Sequence, residues 1–152
     1  MEIRLLGPFD VVVDGRSVQL GGAKQRALLA ILAIHANEVL PADRLIDELW
    51  PGHPPESAVN TLQGYISRLR KALDPQGTNG AEPIIVFRSR GYVLTVPPEQ
   101  IDSHRFVRLV AEAETRSGTG DATGAADSLR EALALWRGAA LADFTYEEFA
   151  HP

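Results

Sequence analysis

The chain has 152 residues, of which 45% are apolar, and 20 acidic against 15 basic side chains give a formal net charge of −5. It contains no cysteine, which excludes disulfides, thiol catalysis and cysteine-based zinc sites. No apolar run reaches the roughly 18–20 residues of a membrane span, and residues 1–9 lack the length and cleavage site of a signal peptide, so we expect a cytoplasmic protein.

A small antiparallel sheet is predicted at the start of the chain. Residues 3–6 and 9–13 are strand-like, and the Asp-Gly pair at 14–15 is a strong signal for a hairpin turn. Residues 17–20 provide the returning strand, which the glycine pair at 21–22 ends.

Helices follow. Residues 23–34 are dense in apolar side chains and predict a largely buried helix, and the segment 38–41 favours a short strand that ends at its proline. A second, short helix comes next, and we expect Asp43 to cap it. Its predicted inner face consists of Leu45, Ile46, Leu49 and Trp50.

The segment 51–55 cannot be helical because its prolines fix the backbone and remove hydrogen-bond donors, and it forms the centre of a loop over 50–56. We predict a rigid, exposed loop, with Trp50 also anchored in the core. Its residues are Trp50, Pro51, Gly52, His53, Pro54, Pro55 and Glu56.

An amphipathic helix is predicted over residues 56–73, starting at Glu56 or Ser57. Its apolar stripe is Val59, Leu62, Ile66, Leu69 and Leu73. The opposite face carries small or cationic residues, namely Thr61, Gly64, Ser67, Arg68 and Lys71. Such a helix suits a DNA major groove, which is about 12 Å wide. Gly64 costs about 1 kcal/mol relative to alanine, which close approach to DNA or to another helix would explain.

A hairpin follows after a flexible connection at 76–82. A strand, a tight basic turn at 88–91 and a strand at 92–96 are predicted. Gly91 is expected to supply the permissive backbone of the turn. Helix followed by basic hairpin is the order of a winged helix, in which Arg88 and Arg90 would contact phosphates or the minor groove. The alternatives are a solvated basic helix face and a turn made soluble by arginines.

The charge distribution agrees with DNA binding despite the acidic total. Residues 1–96 carry 10 basic and 10 acidic side chains, whereas residues 97–152 carry 5 basic and 10 acidic ones. The stretch 66–73 has three cations and no anion. Positive charge is therefore local, and we expect the acidic part to stay away from phosphates.

The proline pair at 97–98 marks a domain boundary, and two helices are predicted after it. Asp102 or Ser103 should cap the first, whose inner face is Phe106, Leu109, Val110 and Ala113. Asp121 should start the second, whose inner face is Ala125, Ala126, Leu129, Ala132, Leu133 and Trp136. One helical hairpin repeat cannot bury its apolar face, because about three are needed for stability. We therefore expect a truncated chain or a shortened regulator.

Enzyme chemistry finds no support in the sequence. The segment 21–25 lacks the spacing of a phosphate-binding loop. The histidines have no ligand spacing, and they are His35, His53, His104 and His151. We expect no catalytic residues, no metal and no cofactor.

Several short motifs resemble the Streptomyces antibiotic regulatory protein family of transcriptional activators. They are Leu5-Leu6-Gly7-Pro8-Phe9, Gln25-Arg26-Ala27-Leu28-Leu29, Glu48-Leu49-Trp50, Pro54-Pro55, Tyr65-Ile66-Ser67-Arg68-Leu69-Arg70-Lys71, Arg90-Gly91-Tyr92 and the stretch 133–144. The resemblance implies an α+β fold. Residues 1–96 would form an OmpR-type winged-helix DNA-binding domain, and residues 97–152 the tetratricopeptide-like start of a bacterial transcriptional activation domain.

The resemblance also implies site residues. Gly64, Ser67, Arg68 and Lys71 would face the groove floor, with Tyr65 and Arg70 toward the DNA backbone. Relatives often carry a larger or basic residue where Gly64 and Ser67 stand, so base readout would lean on Arg68. The loop 50–56 would contact the sigma or alpha subunits of RNA polymerase. No receiver domain precedes Met1, so no aspartyl-phosphate switch is expected in this chain.

The predicted function is that of a sequence-specific activator. It would bind double-stranded DNA at promoter direct repeats as a homodimer and recruit RNA polymerase, with secondary-metabolite genes as targets. The alternative is a helical protein-interaction module with the winged helix as its scaffold.

Overall fold

The computed structural model describes residues 1–75, 77 and 83–150. Its strands are β1 (Glu2–Arg4), β2 (Asp10–Val13), β3 (Arg16–Ser17), β4 (Leu40–Pro41), β5 (Ile85–Arg88) and β6 (Gly91–Leu94). Its helices are α1 (Ala23–Ile34), α2 (Ala42–Leu49), α3 (Ala58–Leu73), α4 (Asp102–Gly118) and α5 (Ala122–Ala134). The predicted α+β fold class is confirmed. Within the described ranges, no helix is long and apolar enough to cross a membrane.

Two three-stranded antiparallel sheets are formed. The first has the order β1-β2-β3, with Ile3 opposite Val11. The second has the order β4-β6-β5, so that β4 lies beside the second strand of the hairpin. Strand β3 ends earlier than predicted, because Leu20 leaves the sheet for the core. The predicted connection at 76–82 lies, apart from Gly77, outside the described residues.

The core is centred on α1. Residues 27–33 are buried around the whole circumference of this helix, as expected for a helix that is apolar on all sides. The inner faces of α2 and α3 contribute Leu45, Leu49, Leu62 and Ile66 to the same cluster. This packing holds α3 with its opposite face outward.

Helix caps mostly differ from the predictions. α2 begins at Ala42, and Asp43 forms no side-chain cap bond but lies in the first turn, where the helix dipole favours a carboxylate. α3 begins at Ala58 directly after its N-cap residue Ser57, which agrees with the predicted start at Ser57, although the Ser57 side chain makes no cap bond. Only the prediction for Asp121 is confirmed among these caps, because its carboxylate accepts the Gly124 N–H at 2.9 Å.

Asp102 also fails to cap its helix, because its carboxylate is used elsewhere. It is 2% exposed, and its two oxygens accept the backbone N–H groups of Leu5 at 2.7 Å and Leu6 at 3.0 Å. Backbone bonds from Arg137 to Leu6 (2.8 Å) and from Leu141 to Leu5 (2.9 Å) reinforce the same contact. The helical part is therefore docked on the segment beside β1.

α4 and α5 form the predicted helical hairpin, but part of the predicted inner face is wrong. Small residues pack at the crossing, and the buried ones on α5 are Gly124, Ala125, Ser128 and Ala132. Leu129, Leu133 and Trp136 are exposed, Leu133 at 67%. The buried stripe follows the small residues because they allow α4 to approach closely, which turns Leu129 and Leu133 outward. Trp136, which lies after the end of α5, still meets the Phe106 ring of α4 edge-on at 5.7 Å.

Candidate nucleic-acid interface

The inner face of α3 anchors this helix on the core. Its buried residues are Ala58, Leu62, Ile66, Leu69 and Leu73. The prediction of Val59 was wrong, since its side chain is 53% exposed. At 3.6 residues per turn, positions 58, 62 and 66 lie on one face, so Ala58 takes the place expected for Val59.

The opposite face of α3 is open to solvent. Its exposed polar side chains are Asn60, Gln63, Ser67, Arg68 and Lys71. The last three were predicted to lie here. Asn60 and Gln63 were missed because the prediction considered only small and cationic residues. Asn60 precedes Ser67 by seven residues and Gln63 precedes it by four, so both lie on the same side of the helix as Ser67. Their amides can pair with adenine in a major groove.

Thr61 and Gly64 are half-buried at the edge of this face. Thr61 Oγ1 lies 3.5 Å from Ser57 Oγ. A Cβ placed on Gly64 would meet an Arg68 terminal nitrogen at 3.5 Å, an ordinary contact. Close packing against another helix in the described part of the chain is therefore not the reason for a glycine at position 64.

Tyr65 is half-buried and lies between two other predicted site residues. Its ring stacks on the Trp50 ring, with centroids 6.2 Å apart and planes 20° apart. The guanidinium carbon of Arg68 lies 5.3 Å from the Tyr65 ring centroid. The structure thus brings together the first residue of the 50–56 loop and the arginine expected to read bases.

Arg70 connects α3 to the hairpin. Its Nε donates a hydrogen bond of 2.7 Å to the carbonyl oxygen of Ile85 in β5. The side chain is half-buried. Arg70 therefore fixes the hairpin next to the helix, whatever contact its remaining N–H groups make with DNA.

The hairpin turn consists of Ser89 and Arg90, between the paired residues Arg88 and Gly91. Both turn residues are left-handed, with φ of 48° and 63°, as in the two-residue turns that match strand twist. The explanation predicted for Gly91 was wrong. Its backbone is not left-handed, but a Cβ there would lie 2.7 Å from the Leu40 carbonyl carbon. Glycine is needed because the backbone of β4, which pairs with β6 here, comes too close for a Cβ atom. Arg88 and Arg90 are both exposed.

Two aromatic rings support the hairpin. Phe87 is exposed, and its ring meets the Tyr92 ring edge-on at 5.1 Å. Burial raises the pKa of Tyr92 above its usual value, although a phenol is neutral at physiological pH even without this shift. The two rings that support the arginine-bearing turn therefore add no negative charge beside Arg88 and Arg90.

The 50–56 loop is exposed, as predicted. Trp50 is half-buried and packs against the core, whereas the six residues after it are all exposed. The His53 N–H bonds to the Trp50 carbonyl, and the Ala58 N–H bonds to the Pro55 carbonyl. Trp50 and the start of α3 thus hold the loop at both ends.

No group of three or more potential ligands in the described part of the chain could hold a metal ion. His35 contacts Arg44 and Glu38. His151 lies outside the described residues.

Two sequence profiles match the chain. The profile described as "Transcriptional regulatory protein, C terminal" matches residues 15–94, and the "Bacterial transcriptional activator domain" matches residues 101–152. Regulatory protein DnrI of Streptomyces peucetius is 37% identical over 147 residues, which is 94% of this chain and 54% of DnrI. The chain belongs to the Streptomyces antibiotic regulatory protein family. Members of this family are transcriptional regulators, and the predicted resemblance is confirmed.

Two solved structures are similar to the structure of this chain. Mycobacterium tuberculosis EmbR, in complex with a low-affinity phosphopeptide, matches with a TM-score of 0.94 and 34% identity over 99% of this chain and 40% of that chain. The DNA-binding domain of E. coli CadC matches with a TM-score of 0.50 and 28% identity over 64% of this chain and 94% of that domain. The chain spans about half the length of DnrI and less of EmbR.

Proposed function

We propose that this chain is a sequence-specific DNA-binding activator of transcription. Residues 1–96 would form the DNA-binding domain, and residues 97–152 the start of the activation domain. The observation that carries the proposal is the outer face of α3, which exposes five polar side chains beside an arginine-tipped hairpin. A helix anchored by one apolar face and open on the other can enter a major groove.

The proposed contacts divide by chemistry. Arg68 would read guanine, with Asn60 and Gln63 available for adenine. Lys71, Arg88 and Arg90 would contact phosphates or the minor groove, as would the free edge of Arg70. Thr61, Gly64 and Ser67 would let the helix backbone approach the bases because their side chains are small.

The proposal is tested by selecting duplexes from a random DNA pool with the whole chain. The selected duplex should then shift in a gel in the presence of random-sequence competitor. Failure to enrich any sequence would contradict the proposal. It would favour the alternative, in which α4 and α5 bind a protein and the winged helix is a scaffold, because Leu129 and Leu133 of α5, and Trp136 just after it, are exposed.

Arg68→Ala is expected to weaken binding to the selected duplex by about 1–3 kcal/mol and to relax base preference at one position, because a bidentate arginine–guanine contact is lost. Binding titrations on the selected duplex and its single-base variants measure both effects. Arg130→Ala on α5, which removes an equally charged and exposed side chain, is the control and should bind as the wild type does. Equal weakening on all duplexes would make Arg68 a phosphate contact only.

Arg88→Ala and Arg90→Ala should each weaken binding to specific and random duplexes together. Each removed phosphate contact should reduce the slope of log K against log salt by about 0.9. Titrations at several salt concentrations give this slope. A slope equal to that of wild type and Arg130→Ala would mean that the hairpin does not touch DNA.

The 50–56 loop is proposed to contact RNA polymerase, through its sigma or alpha subunits. Its two consecutive prolines reduce the conformational entropy lost on binding a partner. The double change Pro54→Ala and Glu56→Ala should lower transcription by purified polymerase while operator affinity stays within about twofold. Parallel loss of both would assign the loop a structural role. Action in the cytoplasm on secondary-metabolite genes is proposed from the family alone.

A further inference from the structure

Trp50, Tyr65 and Arg68 form a continuous stack that crosses from the 50–56 loop to the outer face of α3. The Trp50 and Tyr65 rings are nearly parallel, 20° apart, at a centroid distance of 6.2 Å. Arg68 covers the Tyr65 ring at 5.3 Å. Trp50 and Tyr65 are half-buried and pack against the core, whereas Arg68 is exposed. The stack therefore runs from an anchored end to a free end.

Arg68 is held by its face and not by its N–H groups. No carboxylate in the described residues forms an ion pair with Arg68. A ring beneath a guanidinium restricts the orientation of its plane, while the donors at the edge stay available. Bidentate pairing with guanine uses that edge.

Gly64 leaves space for this arrangement. It precedes Arg68 by one helical turn, and a Cβ at position 64 would already touch the guanidinium at 3.5 Å. A longer side chain at position 64 would occupy the surface over which Arg68 lies, because residues four apart on a helix are neighbours. The glycine and the tyrosine thus act on the same side chain.

We propose that Tyr65 is a positioning residue for Arg68, and that Trp50 in turn positions Tyr65. This inference rests on the proposed function, because Arg68 must read a base for its orientation to matter. An arginine that is already oriented loses less side-chain entropy when it pairs with a base. The gain should therefore appear as stronger discrimination between duplexes. Trp50, the first residue of the 50–56 loop, would contribute to this discrimination through Tyr65.

The test compares Tyr65→Leu, which removes the ring, with Tyr65→Phe, which keeps it. The probes are the duplex selected by the wild-type chain and the same duplex changed at the base pair that Arg68→Ala relaxes. Tyr65→Leu should reduce the affinity ratio of the two duplexes about two- to fivefold, as expected for one exposed cation–π contact. Tyr65→Phe should keep the wild-type ratio, and Tyr65→Leu should have no effect on the ratio in an Arg68→Ala background.

Trp50→Leu and Trp50→Phe provide a second pair if Tyr65→Leu does not fold. A smaller affinity ratio of the two duplexes for Trp50→Leu, together with the wild-type ratio for Trp50→Phe, would support the proposal. The Arg68 Nε–Hε resonance reports the Tyr65 ring directly, because its ring-current shift should disappear in Tyr65→Leu, which lacks that ring.

Three results would overturn the proposal. One is an unchanged ratio in folded leucine variants, and another is an equal loss of affinity on specific and random duplexes, which a structural role would cause. The third is a further loss of discrimination on adding Tyr65→Leu to Arg68→Ala. A wild-type chain that discriminates between no duplexes would refute the proposed function itself, which distinguishes the two failures.

Discussion

Asp102→Ala is expected to lower the free energy of unfolding by about 2–6 kcal/mol. The change leaves the Leu5 and Leu6 N–H groups buried without their acceptor, and each unsatisfied buried group costs about 1–3 kcal/mol. Urea unfolding followed by circular dichroism measures the loss.

Asp127→Ala is the matched control for this prediction. Asp127 lies on α5 with a side chain 66% exposed, paired with Arg130 at 2.7 Å, and exposed pairs contribute about 0–1 kcal/mol. Asp102→Asn should be intermediate, because its amide oxygen accepts one N–H while its NH₂ group faces the other. Equal stability of the Asp102 and Asp127 alanine variants would mean that the carboxylate does not hold the two parts of the chain together.

The role of Asp102 illustrates what the sequence could not provide. An aspartate before an apolar run predicts a helix cap, and this reading was correct at Asp121. At Asp102 the same pattern was misleading, because the carboxylate bonds to residues 96 and 97 positions earlier in the chain. Local sequence patterns predict hydrogen bonds between residues that are close in the chain. They do not predict a hydrogen bond that forms only when the helical part docks on a segment far away in the sequence.

The recognition helix was predictable because its signal is local. An apolar stripe at helical spacing locates both the buried and the open face, and the error at Val59 arose because the stripe continues at Ala58, four residues before Leu62. The open face also follows from this spacing, so Asn60 and Gln63 could have been found by counting back from Ser67. The stack of Trp50 on Tyr65 could not, since it joins side chains of two separate elements, 15 positions apart in the chain.

The hairpin was predicted for a partly wrong reason. The basic turn is present, but its left-handed residues are Ser89 and Arg90, which the sequence does not mark as glycine or asparagine would. Gly91 is required by β4, a strand some 50 positions earlier in the chain that pairs with β6 at this residue. Propensity identifies turn residues, but close approach of another strand appears only in three dimensions.

The operator is expected to be a direct repeat, with centres about 10–11 bp apart. This proposal rests on the resemblance to OmpR-type domains, which implies head-to-tail binding. In such an arrangement one face of a protomer meets a different face of the next, and this contact repeats by rotation and translation along DNA. A two-fold contact would instead require an inverted site.

The charge distribution favours this geometry. Residues 97–152 carry 10 acidic and 5 basic side chains, whereas α3 and the hairpin expose Arg68, Lys71, Arg88 and Arg90. The acidic part is docked through the segment beside β1 and through the Arg26–Asp143 pair at 2.6 Å. A two-fold contact made through this part would bring two acidic surfaces together, and they would repel each other. A tandem arrangement avoids this repulsion and leaves the cations of α3 and the hairpin to face DNA.

Inserting 5 bp between the repeats should abolish cooperative binding, because it turns the second protomer by about half a helical turn. A full-turn insertion restores the facing and should recover part of the cooperativity, although the added separation weakens the contact. The expected coupling between the two sites is about 5- to 150-fold in affinity, measured by comparing one-site and two-site duplexes at constant salt. A duplex in which one repeat is inverted is the control and should bind without cooperativity. Indifference to spacing, or tighter cooperative binding to the inverted duplex, would exclude the tandem arrangement while leaving base recognition by α3 intact.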